Sequence, residues 1–129
     1  MRSLLLYSNI VATAILFGCS NSTDEGDYIE WATPVVSQEV KSKTSSLVSF
    51  TARASWGSSC GGFSRAVVAK TDSVYSIKVF GRQPKNAVCL AVMISFEAPV
   101  TINIPSPGTY SFKFWRSDST TIDTTFIVQ

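Results

Sequence analysis

Apolar residues recur at every second position through most of the chain beyond residue 46, and no other feature restricts the fold as much. In Leu47–Trp56, Val48, Phe50, Ala52, Ala54 and Trp56 alternate with Ser49, Thr51, Arg53 and Ser55. The pattern returns in Tyr75, Ile77 and Val79, in Val100, Ile102 and Ile104, in Tyr110, Phe112 and Phe114, and in Ile122, Phe126 and Val128. Successive side chains of a strand point to opposite faces, so a period of two describes a sheet with one face buried and one wet. Turn residues divide the runs: Gly57 to Gly62 (GSSCGG), Thr71-Asp72-Ser73, Gly81 to Asn86 (GRQPKN) and Ser117 to Thr120 (SDST). Phe63–Thr71 reads as a strand apolar on both faces, and Val35–Val40 as a short first strand. Val88 to Phe96 is almost continuously apolar and is expected to be a central strand buried on both faces. Seven or eight strands at short intervals, with no helical segment, predict an all-β, two-sheet antiparallel sandwich.

The chain has 129 residues, of which 45% are hydrophobic and 12% aromatic, enough apolar side chain for a core. One domain fits and a second does not. A formal net charge of +2 is too small for a nucleic-acid-binding protein. The charges are unevenly placed. Asp24, Glu25, Asp27 and Glu30 stand before Pro34 without a Lys or Arg after Cys19, whereas the remainder is mildly basic.

Residues 1–18, MRSLLLYSNIVATAILFG, place one basic residue before an apolar stretch and end in a small residue before Cys19, the layout of a secretory signal. Polar residues Ser8, Asn9 and Thr13 interrupt the stretch, which is short for a membrane span. Leu16-Phe17-Gly18-Cys19 resembles the lipobox of bacterial lipoproteins. The resemblance implies that the Cys19 thiol is alkylated with diacylglycerol and that cleavage leaves Cys19 at the new amino terminus. It also implies a membrane partner held through acyl chains. Ser20, where an aspartate would favour inner-membrane retention in enteric lipoproteins, points to the outer membrane. Residues 19–33 are then expected to be a lipidated cysteine with an acidic tether, and 34–129 the sandwich domain.

With Cys19 assigned to lipid by that resemblance, Cys60 and Cys89 remain, and in an oxidising compartment they are expected to form a disulfide. Cys60 lies in a glycine-rich loop, so the bridge should staple a loop to a strand. No cofactor or metal site is expected, since the chain has no His and two cysteines alone hold zinc poorly. The stretch from Ile104 to Tyr110, IPSPGTY, resembles the corner of immunoglobulin-like and fibronectin type III domains. That resemblance implies an immunoglobulin-like sandwich in which the Tyr110 hydroxyl ties back to the preceding loop.

Lack of His removes Ser-His-Asp and Cys-His nucleophile systems, and the domain's acids fall at turns or outward positions, so no enzyme is expected. For binding, Trp115 falls on the outward face of its strand with Ile127 expected beside it on the last strand. Such a tryptophan either stacks on a sugar or anchors a protein, or is covered by a neighbouring element. Trp56 follows the inward face, and Trp31 stands where the tether meets the domain. Three functions remain open: an envelope lipoprotein that engages a protein partner, a carbohydrate-binding module that uses Trp115, and a small protease inhibitor that uses the loop near Cys60.

Overall fold

A computed structural model describes residues 27–129. The proposed signal, Cys19 and the first part of the tether lie outside the described residues. Eight strands form two sheets: β1 (Tyr28–Thr33), β2 (Val35–Lys43), β3 (Leu47–Trp56), β4 (Gly62–Thr71), β5 (Val74–Pro84), β6 (Ile94–Asn103), β7 (Gly108–Ser117) and β8 (Thr120–Val128). One sheet runs β2-β3-β6, and the other contains β1, β4, β5, β7 and β8. This is the expected all-β sandwich. Pro34 separates β1 from β2, and the chain changes sheets there.

The second sheet is organised around β5. One edge of β5 pairs with β4 from Val74 to Arg82. Its other edge is shared: β7 takes Val74–Ile77 in parallel, and β1 takes Val79–Pro84 antiparallel. That short parallel ladder is a local departure from an antiparallel sandwich, and β7 must leave β5 beyond Phe114 to make room for β1.

The alternating runs point inward as their period requires. Val48, Phe50, Ala52, Ala54 and Trp56 of β3 are buried, as are Tyr75, Ile77 and Val79 of β5, and Tyr110, Phe112 and Phe114 of β7. Phe50 joins the two sheets, with its ring 4.9 Å from Phe112 and edge-on to Phe114 at 5.2 Å. Burial of one such side chain contributes about 1.5–3 kcal/mol, and aromatic pairing adds about 0.5–1.5 kcal/mol beyond area. The Tyr110 hydroxyl donates to the Ser106 carbonyl at 2.7 Å, the corner contact that the IPSPGTY stretch implied. Both expected tight turns also form: Asp72, at φ 54°, links β4 to β5, and Asp118-Ser119 links β7 to β8.

Three expectations are corrected. Residues 28–33, assigned to the tether, form β1 and complete the β5 edge; Thr33 is buried and its hydroxyl donates to the Val79 carbonyl at 3.2 Å. Strand β5 does not break at Gly81 but continues to Pro84, because β1 and β4 flank it there. Most consequentially, Val88–Met93 is no central strand. The β3–β6 ladder ends at the pair Trp56 and Ile94, so no partner strand remains for the residues before Ile94. The segment 85–93 instead crosses between the sheets as an exposed loop.

Candidate binding surfaces

Two surfaces carry chemistry beyond the core: the outer face of the five-stranded sheet, and the end of the sandwich where the described chain begins. On the outer face, a shallow groove of about 460 Å³ is lined by Val67, Phe80, Lys78, Lys113 and Trp115, with Thr121 at its edge. It lies where β7 parts from β5, and the half-buried Trp115 stands at that point. Cations lie against the aromatic rings: Lys78 Nζ is 5.2 Å from the Trp115 centroid, and the Arg65 guanidinium is 4.3 Å from that of Phe80. Lys113 pairs with Asp123 at 3.9 Å. The groove therefore has an apolar aromatic floor under a basic rim.

Trp115 thus faces outward as expected, but Ile127 does not join it. The two share a face of the β7–β8 hairpin, with Trp115 opposite Thr121 and Ile127 opposite Thr109. Six residues of strand from Thr121 to Ile127 amount to roughly 20 Å. Ile127 lines a separate, more polar depression with Lys43, Thr44 and Ser45.

Beyond the groove, Glu30 of β1 reaches across β5 to β4, where the Ser64 hydroxyl donates to one carboxylate oxygen and Arg65 Nε to the other at 2.9 Å. The Ser64 hydroxyl and then Arg65 hold this carboxyl below its ordinary value of 4.5. Arg82 covers the Tyr28 ring at 4.2 Å. This cluster fastens β1 to the sheet.

The chain-entry end is built around Trp56. Its ring is buried, its indole N–H donates to Gln83 Oε1 at 2.7 Å, and Trp31 stacks on it at 4.5 Å with planes 7° apart. Trp31 packs on the domain in this way while remaining half exposed. Gly81 and Gly61 leave space for the indole: a Cβ at Gly81 would lie 2.6 Å from Trp56 Cε3, and one at Gly61 2.1 Å from Cδ1. Next to this packing, Cys60 and Cys89 form a disulfide with their Cα atoms 5.6 Å apart. The pairing is as expected, but it joins two loops rather than a loop and a strand.

The disulfide displays the loop that replaces the expected strand. Val88 is 102% exposed, Leu90 69%, Met93 75% and Val92 45%. Sequence reasoning missed this surface because an unbroken apolar run carries no period to tell an interior strand from an exposed loop. The available signal was its neighbour Cys89, already tied to a glycine-rich loop. Among the described residues, no group of three or more Asp, Glu and Cys could hold a metal ion, and no helix is long and apolar enough to cross a membrane.

These features define a class: a small, disulfide-stapled sandwich of two β-sheets with an aromatic groove on one outer face and an apolar loop at one end. Within that class, the chain belongs to the ORF11 beta-sandwich domain family, whose model matches residues 50–128. The match takes in most of β3 and all of β4 to β7, and reaches the end of β8; β1 and β2 precede it. No curated protein and no solved structure matches the chain.

Proposed function

We propose that this protein is a non-enzymatic lipoprotein of the cell envelope, anchored through acyl chains on Cys19 and presenting its sandwich to a protein partner, with the outer membrane as its location. The observation that carries this reading is the order of segments: Leu16-Phe17-Gly18-Cys19, then the polar stretch 20–26 (SNSTDEG), then a strand from Tyr28 onward. A thiolate is a strong soft nucleophile suited to forming a thioether, and each buried methylene contributes about 0.8 kcal/mol to anchoring, so two or three chains hold the protein firmly. The Cys60–Cys89 bridge supports an oxidising compartment. From Cys19 to Asp27 the chain extends at most roughly 28 Å, so an anchored domain stays close to the bilayer.

Cell fractionation with labelled palmitate tests the anchor. The wild-type protein is expected in the membrane fraction with label incorporated, and Cys19→Ala is expected to take up none. Equal labelling of the two proteins, or an unlabelled wild type, would contradict the proposal.

The groove favours a second reading, in which the sandwich binds an anionic glycan. Trp115 and Phe80 would supply the stacking surface, and Lys78 and Lys113 the charge. A glycan array should then show binding to acidic oligosaccharides that falls at least tenfold in Trp115→Ala. No binding, or binding unchanged in that variant, removes this reading.

A further inference from the structure

The apolar loop at the chain-entry end has three properties that together identify its occupant. First, it is chemically uniform: no charged residue occurs from Asn86 to Phe96, nor from Ala54 to Ser64 on the loop bridged to it. Second, its tip is held in place through the backbone of Leu90. The Leu90 N–H donates to Ser59 Oγ at 2.9 Å, and the Leu90 carbonyl accepts the Ser59 N–H at 3.0 Å and the Val92 N–H at 2.9 Å. Val88, Leu90 and Met93 point to water from this tip, so moving them into a less polar medium is favourable, and the paired N–H and carbonyl of Leu90 lower the polar cost of that transfer. Third, it lies beside the chain's entry into the domain: the Lys85 N–H, at the start of the loop, donates to the Asp27 carbonyl at 2.7 Å.

We propose that this loop is a membrane-seating element, with Val88, Leu90 and Met93 entering the acyl boundary of the bilayer and Lys85 at its phosphate level. The length and position of the chain outside the described residues select this occupant. The stretch from Cys19 to Asp27 is at most roughly 28 Å long and meets the domain at the loop itself, so an anchor at Cys19 holds this end, and not the opposite one, toward lipid. Lys85 is placed to meet anionic headgroups while the apolar side chains enter beneath them. The inference rests on the anchored-lipoprotein reading for its bilayer, while the loop's affinity for lipid is a property of its own residues. Seating would fix the sandwich's orientation, with β1 and the loop facing the membrane and the turn at Asp72 facing away.

The test uses the mature protein mixed with vesicles of phosphatidylethanolamine and phosphatidylglycerol that contain a lipid with a photoactivatable diazirine in its acyl chain. After irradiation, mass spectrometry of the digest is expected to find lipid adducts concentrated on residues 87–93. A variant with Val88→Ser, Leu90→Ser and Met93→Ser, its fold verified by circular dichroism and an intact Cys60–Cys89 bridge, should lose these adducts and bind vesicles about a hundredfold more weakly when acyl chains are absent. Adducts confined to other parts of the chain, or unchanged in the triple variant, would overturn the proposal. So would burial of the loop in a dimer, shown by light scattering of a wild-type dimer that becomes monomeric in the variant. The same digest reports acyl chains on the Cys19 peptide separately. Their absence would defeat the anchoring reading, while the loop adducts alone decide the seating.

Discussion

Trp56 shows how much of this end of the molecule depends on the absence of side chains. Its indole occupies the space that a Cβ at Gly81 would take, 2.6 Å from Cε3 and 2.9 Å from a Thr33 methyl. Gly81→Ala must therefore push against β1 and the ring together, and should lower unfolding free energy by about 1–3 kcal/mol in urea denaturation. Gly57→Ala, with nothing within 4 Å of the new Cβ, is the control and should stay close to wild type. Glu30 makes a different kind of prediction. Its carboxyl is held below the ordinary 4.5 by Ser64 and Arg65, so its stabilisation is present above that value and is lost as pH falls through the lowered one. Glu30→Gln should be less stable than wild type at neutral pH, with the difference closing on acidification below about 4.5; a pH-independent difference would show that the charge plays no part. The inward positions were legible in the sequence: Phe50 and Phe112 belong to strands wet on one side, and one-sided burial produces their period of two. The space between Trp56 and Gly81 was not, because it joins residues far apart in the chain through their packing alone.

At the scale of elements, the disulfide and the loop it holds belong together. Closing the stretch between Cys60 and Cys89, a separation of 29 residues, stabilises the fold by about 3.5 kcal/mol in the chain-entropy model. Cys60→Ala with Cys89→Ala should lower the unfolding free energy by up to that amount and raise amide exchange most in 85–93, while the Phe50–Phe112 contact region keeps its protection. Exchange that rises evenly over the whole domain would mean that the bridge does not act locally. Strand β1 escaped the sequence reading for a related reason. YIEWAT carries an acid and follows an acidic stretch, and its partner, β5, begins some forty residues later. What makes it a strand is the free upper edge of β5, which β7 leaves uncovered beyond Ile77. The run Val88–Phe96 failed in the opposite direction: it had strand-like composition but no ladder partner before Ile94.

For the whole molecule, the sandwich keeps two surfaces apart. The outer face of the five-stranded sheet offers the groove at Trp115, while the end marked by Asp27, Trp31 and the Cys60–Cys89 loops receives the chain from Cys19. The family match from residue 50 to 128 covers the groove and both bridged cysteines, but not the first two strands or the segment that leads to them. The proposed placement of the molecule at a membrane depends on Cys19 being the anchor. Intact-mass spectrometry of the protein recovered from membranes tests it most directly. The predicted result is a chain that begins at Cys19, carries the mass of two or three acyl chains on that residue, and is two hydrogens lighter for the Cys60–Cys89 bridge. A mature chain that begins elsewhere, or a Cys19 that carries no lipid, would contradict it.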